Sequence, residues 1–205
     1  MKDPLGMMNL EPGVLTTVYG PSGTGKTNYC LLAAQSLSGQ RKTVFIDTEN
    51  GVSADRLRQL GRIDMSLLRP RSFQELQRQL TMLYRQTPRM GMLALDSVAM
   101  LYRLELAGTK DPAAVNRAMA LQLGLVWKIA RKAKIPALLT DHVYSPFSKE
   151  EVLPVGGDLI SYSSKCLLEL SKDTDSRVAT LRKHRSLKEG LTKRFVITQT
   201  GFQLG

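Results

Sequence analysis

Gly20-Pro21-Ser22-Gly23-Thr24-Gly25-Lys26-Thr27 sets three glycines, a lysine and a hydroxyl at the spacing G-x-x-x-x-G-K-[ST]. Each residue type has a physical reason. Glycines let the backbone curl until successive N–H groups face one anion. A helix opening near Lys26 aims the positive end of its dipole at the same point. The Lys26 ammonium then lies between the β- and γ-phosphates of a nucleoside triphosphate, and the Thr27 hydroxyl is offered to Mg²⁺. Gly20, Pro21, Ser22, Gly23, Thr24, Gly25, Lys26 and Thr27 are thus the expected phosphate-binding residues, with Asn28 directly behind them. The pattern arises by chance in on the order of one chain in a hundred of this length, so context decides. Here a β-branched-rich stretch, Val14 to Tyr19, precedes it, and a helical stretch from Lys26 to about Leu37 follows.

Carboxylates are the next requirement. Asp96 closes the wholly apolar run Met92-Leu93-Ala94-Leu95, where a strand-end acid beside a phosphate loop can hold the hydration shell of Mg²⁺. Asp47-Thr48-Glu49 ends an earlier strand, with Glu49 23 residues after Lys26. A carboxylate there can orient water for in-line attack on a γ-phosphate. No Asn-Lys-x-Asp that would read guanine occurs, and no arginine-rich lid typical of small-molecule kinases stands out.

The elements that must position these groups alternate along the chain. Thr43 to Ile46 reads as a strand, and a short helix is capped by Ser53 and stopped by Gly61. Leu67 to Arg69 reads as another short strand. Ser72-Phe73-Gln74-Glu75 is a capping box, followed by Phe73, Leu76, Leu80 and Leu83 at helical spacing, with Pro88 closing that helix. Asp111-Pro112 opens the longest helix, to about Lys134, and Pro136 to Thr140 is a buried strand. Beyond Ser164 the stretches Cys166 to Leu170, Arg177 to Leu181 and Phe195 to Thr198 read as strands joined by short turns. The expected fold is α/β: one domain over residues 1–205, a central, mostly parallel sheet flanked by helices, and antiparallel strands at the C-terminal edge.

The chain has 205 residues, 29 Lys and Arg against 18 acids, a net charge of +11 and a pI near 9.9. That excess suits a polyanion. No apolar run approaches the roughly 20 residues of a membrane span and no signal layout opens the chain, so a cytoplasmic, membrane-free protein is expected. Cys30 and Cys166 form no Cys-x-x-Cys pair and read as reduced core residues. Between Arg182 and Arg194 six basic residues face one acid. Lys183 and Arg185, two apart on a strand or turn, project to the same side. Lys128, Arg131, Lys132 and Lys134 close the long helix, where cations suit the dipole.

Several segments together resemble the RecA/RadA superfamily of ATP-dependent recombinases. They are Phe45 to Glu49 with Arg56-Leu57, then Leu95 to Arg103, then Leu139 to Tyr144 with Pro154 to Gly157. The likeness runs in order from about Glu11 to Gly205, and it implies a RecA-type ATPase core using ATP and Mg²⁺, with Thr27 and Asp96 as metal residues. It also implies that Glu49 is the general base for water and that Arg56 stacks on adenine. His142 stands where the family commonly has a glutamine sensing the γ-phosphate. Lys183-x-Arg185 resembles the finger that KaiC-like and replicative-helicase relatives insert into a neighbouring subunit's ATP site, which implies a homo-oligomer. RadA-type recombinases carry an N-terminal domain and a Phe-x-x-Ala motif. This chain begins almost at the first strand, its first phenylalanine is Phe45, and it has no Phe-x-x-Ala, so it resembles the bare-core archaeal RadB branch. The segments matching the superfamily's DNA-facing loops, about Leu104 to Pro112 and Val143 to Gly156, are weakly basic; the second holds Lys149, Glu150 and Glu151. The resemblance therefore implies a weakly hydrolysing accessory of DNA repair and recombination that binds DNA, single-stranded by preference, and modulates a RadA-type recombinase. The alternative is a KaiC-like regulatory ATPase that assembles with ATP and without DNA.

Overall fold

A computed structural model of the chain describes residues 1–87, 89–144 and 153–205. β1 (Leu15–Tyr19) is buried along its whole length and leads through the glycine turn into α1 (Lys26–Gln35). β2 (Thr43–Asp47), α2 (Ala54–Leu60), β3 (Met65–Leu68), α3 (Phe73–Gln86) and β4 (Met92–Asp96) follow. α4 (Ala99–Gly108) and α5 (Pro112–Ala133) precede β5 (Ala137–Asp141). The short pair β6 (Val143–Tyr144) and β7 (Leu153–Pro154) leads to α6 (Gly157–Ser163). β8 (Cys166–Lys172), β9 (Arg177–Lys183), β10 (Thr192–Ile197) and β11 (Phe202–Leu204) complete the chain.

Nine strands form one sheet in the order β11-β10-β9-β8-β1-β5-β4-β2-β3. From β8 to β3 every neighbouring pair is parallel, and β9, β10 and β11 add antiparallel at the other edge. The division follows from the sequence. β4 is buried on both faces, so its residues alternate between two apolar layers instead of between core and water. Leu93 and Leu95 pack with α3 and α5 residues such as Leu76, Leu80, Met119 and Val126; Met92 and Ala94 pack with Tyr29, Cys30 and Ala33 of α1.

Caps set most helix ends where the sequence places them. Ser53 accepts from the Arg56 amide, Ser72 from that of Glu75, and Asp111 from that of Ala114, with Pro112 in the first turn. The Glu75 side chain accepts in return from the Arg71 amide rather than that of Ser72. α3 ends at Gln86 with Thr87 in the left-handed region; Pro88 lies outside the described residues.

Several elements depart from the sequence reading, among them the short strands β6, β7 and β11, which it does not expect. The segment from Leu104, expected as a loop, is helical to Gly108, because α4 buries Leu101 and Tyr102 against the α3–α5 layer. α6 has no counterpart among the expected elements. Of the second presumed DNA-facing loop, residues 145–152, with Lys149, Glu150 and Glu151, lie outside the described residues.

Candidate functional site

Because β1, β5, β4 and β2 run parallel, their C-terminal ends deliver Gly20, Asp141, Asp96 and Glu49 to one edge of the sheet. Register fixes the neighbours: Tyr19 lies opposite Asp141, and Asp47 opposite Asp96.

The glycine loop is shaped for close approach. Gly20 has φ 152°, and a Cβ there would stand 2.0 Å from the Leu170 carbonyl oxygen. Gly25, at φ 103°, hands the chain to α1, and its Cβ would press on Ile197 at 3.0 Å. Glycine is required at both positions because the curl leaves room there for nothing larger than hydrogen. Lys26, almost wholly buried, folds back so that its Nζ donates to the carbonyls of Gly20 at 2.8 Å and Pro21 at 2.9 Å. Burial pulls its pKa below the ordinary lysine value, against the opposing charges of Glu49, Asp96 and Asp141.

Thr27 donates from Oγ1 to Asp96 Oδ2 at 2.7 Å, and Thr140 Oγ1 donates to the other oxygen, Oδ1. Burial pushes the Asp96 carboxyl above the usual range, opposed by those two hydroxyls. One carboxylate and one hydroxyl, side by side at the head of α1, fit a hard cation that keeps most of its shell as water and phosphate oxygen. The described residues hold no cluster of three or more His, Cys, Asp or Glu that would bind a metal without the phosphates. The donor set therefore fits Mg²⁺ arriving with a nucleotide, held by Thr27 and Asp96.

Glu49 reaches the same place from β2. His142 Nε2 lies 2.7 Å from Glu49 Oε1, and Ser97 Oγ donates to the same oxygen. An ionised carboxylate only accepts, so His142 must carry its hydrogen on Nε2. The His142 hydrogen bond, with help from Ser97, lowers the Glu49 pKa against the effect of burial. Glu49 is thereby held as an anion, ready to take a proton but weaker as a base than a carboxylate tuned toward neutrality.

Arg56 sits where α1 and the β10–β11 turn meet. Its Nε donates to Asn28 Oδ1 at 2.5 Å, and one Nη donates to the carbonyls of Thr198 and Gln199 at 2.9 Å each. The other Nη is buried and has no partner among the described residues. Lys183 and Arg185 are not brought to this edge. β9 runs antiparallel to β8, which puts Arg177 near the glycine loop and Lys183 at the opposite end of the sheet. There Lys183 Nζ donates to the carbonyls of Ser161 at 2.6 Å and Ser164 at 3.0 Å, and Arg185 pairs with Glu11 at 3.0 Å.

The sequence reading misses Ser97, Thr140 and Asp141. Asp141 ends a buried strand as Asp96 does, and that signal could have found it. It accepts from the amides of His142 at 2.8 Å and Gly156 at 3.3 Å, so it anchors the segment carrying His142. Burial outweighs these amides and pushes its pKa up to about 7. The unfolded chain returns it to about 3.9. A pKa raised on folding gives stability that is full below the unfolded value and is lost as pH rises through about 7. The melting temperature of the protein should therefore fall between about pH 4 and about pH 7 and level off above that, and Asp141→Asn should flatten that fall. Equal slopes for the two proteins in thermal melts would remove Asp141 as the cause.

Residues 3–203 match the family model described as Rad51. The chain is 36% identical over 201 residues to the "DNA repair and recombination protein RadB" of Methanococcoides burtonii, covering 93% of this chain and 89% of that protein. It is 34% identical over 200 residues to the protein of the same name from Thermoplasma acidophilum, covering 94% and 86%. Among solved structures, "Crystal structure of the RadB recombinase" superposes with a TM-score of 0.79 at 31% identity, over 97% of this chain and 93% of that one.

Proposed function

The chain belongs to the Rad51 family, with a RecA-like nucleotide-binding fold, and on that premise we propose that it is an ATP-binding, slowly ATP-hydrolysing accessory protein of DNA repair and homologous recombination. It acts in the cytoplasm, binds DNA, with single strands preferred, and modulates a RadA-type recombinase. The name its relatives carry supports the pathway. The observation that carries the chemistry is the junction of the glycine loop with two carboxylates, Thr27 to Asp96 at 2.7 Å and His142 to Glu49 at 2.7 Å.

The residues divide the work by position. The loop amides and Lys26 take the β- and γ-phosphates once Lys26 releases the carbonyls of Gly20 and Pro21. Thr27 and Asp96 hold Mg²⁺, which when bound offsets phosphate charge. Glu49 accepts a proton from the attacking water, and the Nε2–H of His142, on leaving Glu49, donates toward the γ-phosphate. Arg56 lines the base end of the site with Asn28. Two features support slow turnover: the lowered pKa of Glu49, and the distance of Lys183 and Arg185 from their own glycine loop. In this reading those two cations serve a neighbouring subunit's site, so turnover depends on assembly.

Phosphate release measured across protein concentration, with and without single-stranded DNA, tests the reading. Turnover per subunit should rise with concentration and rise again with DNA, and DNA affinity should fall steeply with added salt. Absent or salt-insensitive DNA binding, with and without ATP, overturns the DNA-directed part.

A further inference from the structure

At the end of the sheet opposite the glycine loop, an open cavity of about 660 Å³ lies between the chain entering β1, the last turns of α5 and the start of β8. Its walls carry Trp127, Arg131, Lys134, Lys165 and Arg185, and no acid lines it among the described residues. Cations at the end of α5 have an ordinary explanation in the helix dipole. That explanation covers Arg131 and Lys134 but not Lys165 or Arg185, which reach the same cavity from just before β8 and just after β9. Arg185 is paired with Glu11, whereas Arg131, Lys134 and Lys165 have no ion pair among the described residues.

The aromatic component is equally specific. Trp127 is 40% exposed, unlike the buried aliphatic residues beside it on α5. The Arg131 guanidinium lies over its ring at 4.8 Å from the centroid. The Arg131 stem in turn rests on Gly13, where a Cβ would come within 3.4 Å of Arg131 Cγ. The ring and cation are thus held as a preformed stack facing the cavity.

We propose that this cavity is a binding site for single-stranded DNA, in which a base stacks on the Trp127–Arg131 pair and the flanking phosphates meet Lys134 and Lys165. An exposed ring beside convergent cations is what a single strand requires, because its bases present free faces and its backbone a charge at every step. A duplex hides those faces in its own stack. A lone small anion would satisfy the cations but leave the exposed part of the indole uncovered. The site is remote from the glycine loop, so a strand bound there does not compete with ATP. The proposal rests on the reading that the protein binds DNA, and it assigns that binding to residues outside the two presumed DNA-facing loops.

Trp127 is the only tryptophan in the chain, so its fluorescence reports on this site directly. Oligo(dT) titrated into the full protein saturated with MgATP should quench that fluorescence with the same midpoint as anisotropy of a labelled strand. Trp127→Ala should weaken strand binding about tenfold, within the range for loss of one aromatic stack, while Trp127→Phe should recover most of it. Lys165→Ala, an exposed change that leaves the stack intact, should lower the slope of log affinity against log salt by about 0.7. If the wild-type protein binds no oligo(dT) by anisotropy, the DNA-binding reading falls and this site with it. If it binds but the fluorescence stays constant and both Ala variants bind like wild type, the protein binds DNA elsewhere and this proposal alone is overturned. Duplex DNA quenching as strongly and binding as tightly as oligo(dT) would also overturn it.

Discussion

Glu49→Gln should leave ATP affinity within about threefold of wild type and lower the rate of phosphate release by about a hundredfold or more, in the range ascribed to a positioned general base. The substitution is nearly isosteric. The amide that replaces the carboxylate keeps an oxygen to accept from His142 Nε2 and Ser97 Oγ, so the contacts that position this side chain survive. What disappears is the charge and the capacity to accept a proton. Glu49 does not touch the glycine loop, where Lys26 is held by Gly20 and Pro21, and binding should be spared accordingly. The depressed pKa adds a further expectation: the wild-type rate should hold on acidification through the ordinary glutamate range, since the His142 hydrogen bond keeps the carboxylate ionised. Single-turnover phosphate release with protein in excess over ATP separates chemistry from binding. Equal rates in wild type and variant would take Glu49 out of the mechanism.

How much of this site is legible in advance depends on whether its cause is local. The glycine loop is legible because its residue types answer to backbone geometry within eight positions. Asp96 is legible because a strand buried on both faces must be apolar throughout, which makes the first charge after it conspicuous. The sheet follows from the same alternation of short apolar runs and capped helices. Ser97 and Thr140 are hidden, since a hydroxyl after or before an acid says nothing by itself. Their importance comes from partners 48 and 44 residues away, across strands whose register is a property of the whole sheet. α4 is hidden for a different reason. Its first turn is preceded by Val98, which has no side-chain cap to announce it, and tertiary burial of Leu101 and Tyr102 makes the helix. The cations at the end of α5 illustrate the limit most sharply. In one dimension Arg131 and Lys134 are dipole partners, and only the folded chain brings Lys165 and Arg185 to the same cavity.

Lys26→Ala should abolish measurable ATP binding while leaving the fold in place. The Lys26 ammonium lies inside the cradle, and its two charge-assisted hydrogen bonds to phosphate are worth about 1.5 to 3 kcal/mol each, which corresponds to a loss in affinity on the order of a hundredfold to tens of thousandfold. In the ligand-free protein the balance runs the other way. Burial lowers the Lys26 pKa, so the charged form is disfavoured in the fold relative to the unfolded chain at neutral pH. Alanine removes that cost together with the two hydrogen bonds to Gly20 and Pro21, and Pro21 keeps a donor in Thr24 Oγ1 at 2.9 Å. The opposing changes should leave the melting temperature of the ligand-free variant within a few degrees of wild type, an expectation built on a ΔΔG of about 1 kcal/mol or less. MgATP should then raise the melting temperature of wild type, in proportion to the logarithm of its concentration over Kd, and fail to move that of Lys26→Ala. A variant that melts like wild type and shifts equally with MgATP would show that the triphosphate is not held in this loop. A variant that is already unfolded without ligand would show that the buried ammonium, far from being costly, holds the loop together.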